Sequence, residues 1–282
     1  MQKKRAIFKR MVTKITGETQ KRFKDALVAE EPFTVVWQSQ DGVSERLAST
    51  MRTPGDDLSL AAGMLFSEGA VLGRAELQVL SFCSGGGVNE LNRLKAELLI
   101  DADTIKSRLA HRPSQSLPQS ACGMCSVDDL GSPARLVAWA ASRSKSRGTS
   151  PEEATIELAL KTLENDCPLF ARTGASHACV VLSSQKVLAV GEDVGRHNAC
   201  DKALGQLFLA EPRDSIEFRL PPECGLLFSS RLSFELAAKA VAAGASWVAS
   251  VGAPTALAVD LAETCELPLL GFVSRERRNT YC

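Results

Sequence analysis

Residues 225–251 read GLLFSSRLSFELAAKAVAAGASWVASV, and this stretch decides the fold. A short apolar strand ends at Phe228, apolar residues then recur at helical spacing over 231–243, Gly244 closes the helix, and a second apolar strand follows over 247–251. Short strands without polar alternation, separated by a helix, belong to a parallel or mixed sheet whose faces are covered by helices. The alternation continues outward. Toward the C-terminus come a helix opened by Pro254 and a strand over 269–273, and toward the N-terminus a strand over 177–182, another near 187–190 and a helix over about 194–209. The C-terminal part is therefore read as an α/β domain.

The N-terminal half has a different texture. Residues 33–37 are β-branched and aromatic, Asp41-Gly42 supplies a tight turn, and the chain resumes toward Met51, which predicts a hairpin. Thr53-Pro54 followed by Asp56 and Asp57 predicts a helix over 54–67 with proline in its first turn. Strand candidates flank the glycine run 85–87, and a short helix opens after Asp101. Residues 112–120, RPSQSLPQS, prevent regular structure and mark a boundary. The expected organisation is a basic N-terminal segment (1–27), a small β-rich domain (28–111), a linker (112–120) and the α/β domain (121–282). Residues 142–150 read as a solvated loop.

Composition excludes several classes of function. Thirty-three basic residues balance thirty-three acidic ones, so no net charge draws the chain to nucleic acid or to a membrane surface. No apolar run approaches the roughly 20 residues that span a bilayer, and no apolar secretion core is found near the N-terminus. The basic bias before Glu18 is shared with organellar transit peptides, but their serine enrichment is missing. The nine cysteines are odd in number and scattered, which favours free thiols in a reducing compartment and a cytoplasmic protein.

Three constellations carry possible chemistry. Cys122-Gly-Met-Cys125 precedes Ser126-Val-Asp-Asp129, a capping pattern that places the pair at a helix entrance, where the thiolate is favoured. Two ordinary loop cysteines, a zinc site and a redox or sulfur-relay pair are the competing readings. Zinc lacks a second ligand pair at compatible spacing, and a zinc deaminase would need an upstream His-x-Glu and a proline before the first cysteine, where Ala121 stands. Second, Ser229-Ser230-Arg231, Ser250 and Ser274-Arg275 follow strand ends, the rim on which open α/β sheets bind anions, although serine is also a common capping residue. Third, Glu192-Asp-Val-Gly-Arg196-His197-Asn198 opens a helix. Either Asp193 merely caps it, with His197 satisfied on its first turn, or Arg196 and His197 at the helix start serve an anionic substrate.

In order along the chain stand Ser67-Glu68-Gly69, Cys122-Gly-Met-Cys125, Thr173-Gly-Ala-Ser-His177-Ala and Glu192-Asp-Val-Gly-Arg-His-Asn198 with Asp201-Lys202. Ser229-Ser-Arg231, Ala253-Pro-Thr-Ala-Leu-Ala258 and Gly271-Phe272 complete the series. From about residue 30 to the C-terminus this series resembles the FdhD/NarQ family of formate dehydrogenase accessory sulfurtransferases.

The resemblance implies a sulfurtransferase that accepts sulfur from a cysteine desulfurase and passes it to the molybdenum bis(molybdopterin guanine dinucleotide) cofactor of formate dehydrogenase. It assigns the persulfide to Cys122, with Cys125 as helper, and cofactor binding to Phe272, Val273, Ser274, Arg275, Glu276 and Arg277. Many relatives carry glycine or proline before that final arginine, where this chain has Glu276. Ser229, Ser230, Arg231, Arg196 and His197 are further candidates. The larger domain is expected to be similar to the cytidine deaminase fold without its zinc machinery, with no intrinsic metal, and the assembly to be a homodimer. A non-catalytic cofactor-binding chaperone and a thiol-disulfide oxidoreductase are the alternatives.

Overall fold

A computed structural model describes residues 5–83, 90–110, 133–144 and 148–282. Cys122, Cys125, the linker 112–120 and the glycine run 85–87 lie outside the described residues.

The C-terminal part holds a six-stranded mixed sheet of β7 (His177–Leu182), β8 (Val187–Asp193), β9 (Gly225–Phe228), β10 (Trp247–Ser250), β11 (Leu269–Gly271) and β12 (Asn279–Thr280), in the order β12-β11-β10-β9-β7-β8. Strands β9, β10 and β11 run parallel, whereas β7 is antiparallel to both β8 and β9. Helices α6 (Arg196–Ala210), α7 (Phe234–Ala243) and α8 (Ala256–Thr264) form the connections. Because side chains alternate across a strand, Val180, Leu182, Leu227, Ala249 and Leu270 pack with Ile156, Ala159 and Leu160 of α4 (Glu153–Asn165), while Cys179, Val181, Leu226, Val248 and Leu269 face α6, α7 and α8. The sheet is thus buried on both faces, as its near-continuous apolar strands predict.

A second sheet, in the order β4-β3-β6-β5, contains β3 (Glu31–Gln38), β4 (Ser44–Arg52), β5 (Leu77–Phe82) and β6 (Arg93–Leu98). The expected β3–β4 hairpin is present, with Gly42 in the left-handed region at φ 87°. The expected short helix α2 (Ala102–Ala110) is started by Asp101, whose side chain accepts the Thr104 N–H at 2.7 Å. Helix α1 (Asp57–Ser67) begins three residues later than predicted, because Gly55 and Asp56 take positive φ and break the turn. Arg52 then grips Asp57 with two hydrogen bonds of 2.8 and 3.2 Å at the true start.

Helix α1 joins the two sheets. A Cβ at Gly63 would fall 1.9 Å from the Asp201 carbonyl oxygen, and one at Gly205 would fall 1.8 Å from that of Ser59. Helices α1 and α6 therefore touch backbone to backbone, and the buried apolar residues of the second sheet join those on the α6–α8 face of the large sheet in one continuous cluster from Phe33 to Leu269. The basic N-terminal stretch also contains structure that its charges did not announce. Strands β1 (Ile7–Thr16) and β2 (Thr19–Val28) form a separate two-stranded antiparallel ribbon. Among the described residues no helix is long and apolar enough to cross a membrane.

Candidate functional site

The carboxyl ends of β8, β9, β10 and β11 and the amino end of β7 lie along one rim of the large sheet, since β7 runs opposite to its neighbours. The sequence candidates among the described residues gather there. The Ser229 hydroxyl accepts the Ala178 N–H at 2.8 Å, the Ser230 carbonyl accepts the Gly252 N–H at 3.1 Å, and the Gly252 carbonyl accepts the Phe272 N–H at 3.1 Å. Three strand-end loops are thereby laced side by side. Ser230 donates its hydroxyl proton to the Arg231 carbonyl at 2.9 Å, whereas the Ser229 hydroxyl has no acceptor among the described residues.

The segment Phe272 to Arg277 is a tight turn. Val273 is buried and its N–H donates to the Ser250 carbonyl at 3.0 Å. The Ser274 hydroxyl accepts the N–H groups of Glu276 and Arg277 at 3.3 and 3.2 Å, so the Glu276 amide is already engaged. Phe272 has φ 53°, a left-handed conformation that a bulky residue adopts only when its surroundings compel it, and its ring is exposed. Arg275 pairs with Glu164 of α4 in an exposed ion pair. Arg231 and Arg277 are exposed, and their guanidinium groups have no partner among the described residues.

The Glu192 to Asn198 motif divides into two groups. Asp193 is fully buried: one carboxylate oxygen accepts the Gly195 N–H and the Asn198 side-chain amide at 2.9 and 3.0 Å, and the other accepts the Thr53 N–H at 3.0 Å and meets Lys202 at 2.7 Å. Lys202 also donates to the Thr53 carbonyl at 2.9 Å, which ties α6 to the chain just before α1. Glu192 accepts the Leu169 and Phe170 N–H groups at 2.9 and 3.0 Å and so holds the start of α5 (Pro168–Thr173). These members are structural. Arg196 and His197 are the two that remain at the rim.

Beside them stands His177, the first residue of β7, whose titration is pushed down by burial and by the nearby positive charges of Arg196 and His197. The His197 Nε2 lies 2.7 Å from a Glu235 carboxylate oxygen in the first turn of α7, within ion-pair distance but out of line for a hydrogen bond. The Nε of Arg196 is buried and has no hydrogen-bond partner among the described residues. In sequence, His177 stands in the Thr173-Gly-Ala-Ser-His177-Ala motif without a site role, and Glu235 has no signal. Each looks like a strand or helix end until the sheet folds.

A second buried cluster explains Ser67 and Asp201. Lys239 of α7 donates to both Asp201 oxygens at 2.6 and 2.7 Å and to the Ser67 hydroxyl at 2.8 Å, and Ser67 donates to Asp201 at 2.7 Å. Burial raises the Asp201 carboxyl against the opposing pull of Lys239. Burial also disfavours the Lys239 ammonium, but Asp201 and its neighbours outweigh that and hold it above its ordinary value. Arg143 closes the cluster by donating to the Ser67 and Phe66 carbonyls, with its titration lowered by burial to about 10.

Of the described cysteines, Cys167, Cys179, Cys200, Cys224 and Cys265 are buried. Burial pushes the Cys167 thiol up to about 12 and the Cys224 thiol to about 11, values at which no useful thiolate exists near neutrality. Sulfur nucleophilicity at these positions is suppressed. Among the described residues no three His, Cys, Asp or Glu side chains are grouped to hold a metal ion.

The fold and its rim define an α/β protein that presents cationic loops at the ends of parallel strands and ties Asp193, Lys202, Asp201 and Lys239 into buried pairs. The chain belongs to the FdhD/NarQ family, whose profile matches residues 28–282. It is 37% identical over 267 residues to the sulfur carrier protein FdhD of Anaeromyxobacter dehalogenans (strain 2CP-C), covering 92% of this chain and 87% of that one. The sulfur carrier protein FdhD of Streptomyces coelicolor is 36% identical over 261 residues, covering 91% and 87%. A crystal structure described as a candidate formate dehydrogenase accessory protein from Desulfotalea psychrophila superposes with a TM-score of 0.71 over 98% of this chain and 97% of that one, at 19% identity, a likeness of fold.

Proposed function

We propose that this chain is a sulfurtransferase. It accepts sulfur from a cysteine desulfurase as a persulfide on Cys122 and delivers it to a molybdenum bis(molybdopterin guanine dinucleotide) cofactor destined for formate dehydrogenase. The observation that carries the reading is its family membership, with relatives named sulfur carrier proteins matching more than nine-tenths of its length. In the loading step the Cys122 thiolate attacks the terminal sulfur of the donor's persulfide, the donor's S–S bond breaks, and the donor cysteine leaves as a thiolate. Suppressed reactivity of Cys167 and Cys224 keeps the sulfur off those core positions.

The rim supports the second half of the reading. Arg231 and Arg277 are uncommitted cations suited to phosphate oxygens, and the exposed Phe272 ring, held out by its left-handed backbone, offers a face for a purine base. Val273 and Ser274 build the turn, and Arg196 and His197 add positive charge at the start of α6. The cofactor is bound here as substrate by a cytoplasmic homodimer, as the resemblance implies.

Incubation with a desulfurase and cysteine tests the proposal directly. Intact-protein mass should rise by one sulfur atom in the native chain and in Cys125→Ser, and not in Cys122→Ser, which should also leave formate dehydrogenase inactive in cells lacking this protein. Full formate dehydrogenase activity with Cys122→Ser would overturn persulfide transfer in favour of a cofactor chaperone.

A further inference from the structure

The β1–β2 ribbon is not explained by the sheet core or the rim. An isolated two-stranded ribbon is marginal in water; the Ala29 N–H to Ala6 carbonyl bond at 2.8 Å closes the base of this one, and β2 touches the body at α5. Its register places Phe8 opposite Leu27 and Val12 opposite Phe23 on one face, with Met11 and Ile15 on the other. Both faces therefore leave large apolar side chains in solvent, Ile15 at 66% and Met11 at 51% exposure being the extremes. Phe170 of the adjoining α5 extends this surface.

Charge narrows the choice of partner. Between Ile7 and Val28 stand Lys9, Arg10, Lys14, Lys21, Arg22 and Lys24 against Glu18 and Asp25. Because the whole chain is neutral, everything outside the ribbon is net negative by the same four charges. Lys14 lies directly opposite Lys21 near the turn, an arrangement that destabilises a bare ribbon and that an anionic surface would relieve.

We infer that the ribbon is a docking arm whose occupant is the acidic body of a second copy of this chain, with Lys14, Lys21, Phe8 and Phe23, which share one face of the ribbon, at the centre of the contact. This rests on the homodimer reading above and assigns it a surface. Ribbon-on-ribbon pairing through the free strand edges is disfavoured, because it would bring two strongly cationic segments together.

The test uses the full chain. Sedimentation at micromolar concentration and low salt should show a dimer that weakens as salt rises. Lys14→Glu with Lys21→Glu should weaken it at least about tenfold, and Phe8→Ser with Phe23→Ser should do the same by removing apolar contact on the same face. Both variants should keep the native thermal transition, because the ribbon lies outside the main core. Cross-linking of isotopically light and heavy copies should join ribbon lysines to carboxylates beyond residue 28 of the other copy. A monomer under all conditions would overturn this inference together with the homodimer reading. A salt-insensitive dimer that survives both variants, or inter-copy links confined to ribbon with ribbon, would overturn the docking arm and leave the homodimer standing.

Discussion

Lys202 and Lys239 lie buried in α6 and α7, each within 2.7 Å of a carboxylate, whereas Arg231 and Arg277 stand on the rim with no partner among the described residues. The same formal charge serves different ends in the two places. A buried cation has lost its water, and only a close counter-ion with further hydrogen bonds keeps it tolerable, so its removal exposes the opposite charge to the same penalty. An exposed cation keeps its hydration and costs almost nothing to hold, which leaves its interaction energy available to an incoming anion. The buried pairs act on stability, and in the proposed function the rim arginines act on binding.

The largest test of that division is Lys239→Ala, which strands the Asp201 carboxylate and should lower unfolding stability by about 3–5 kcal/mol in urea titrations. Replacing both partners, Asp201→Leu with Lys239→Met, should recover most of the loss; a double variant as unstable as the single would show that the Ser67 and Arg143 contacts matter more than the pair. Gly205→Ala should come next, at roughly 1–3 kcal/mol or more, since its Cβ would collide with the Ser59 carbonyl and force α1 away from α6.

On the rim the signature reverses. Arg231→Ala with Arg277→Ala should leave stability within about 0.5 kcal/mol per substitution, while guanosine diphosphate affinity measured by calorimetry should fall about tenfold or more, as expected when charge-assisted hydrogen bonds are lost. Unchanged affinity would move the nucleotide site elsewhere.

The smallest effect concerns His177. Its folded-state titration lies below the unfolded value near 6.5 because burial, Arg196 and His197 disfavour the charged ring. Above that pH both states are neutral and stability is flat. As pH falls through about 6.5 the unfolded chain takes up a proton that the folded one resists, so stability declines. Denaturation midpoints between about pH 7.5 and 5.5 should show this decline in the native chain and less of it in His177→Gln.

Much of the α/β unit was legible because β9, β10 and β11 are apolar on both faces and their helices end at recognisable signals such as Gly244. The β1–β2 ribbon was not, because lysines and arginines interrupt the apolar alternation on both of its faces and no buried side imposes a period. At the site, sequence located the strand-end loops but could not apportion the Glu192 to Asn198 motif. Asp193, Asn198 and Lys202 prove structural only because Thr53 and Met51 arrive from the other sheet to meet them. The Phe272 conformation has no sequence signal of the usual kind, since glycine is the residue expected at such a φ.

The clasp between Thr53 and Lys202 spans 149 residues of chain. At roughly 5–20 residues per second of synthesis, α1 waits about 7–30 s on the ribosome before α6 exists to cover it. During that interval a helix destined to bury Leu60, Ala61, Leu65 and Phe66 has no complete partner. The nascent N-terminal half is therefore expected to present this apolar face until α6 emerges, and folding of this chain is expected to be slow and sensitive to early termination of synthesis.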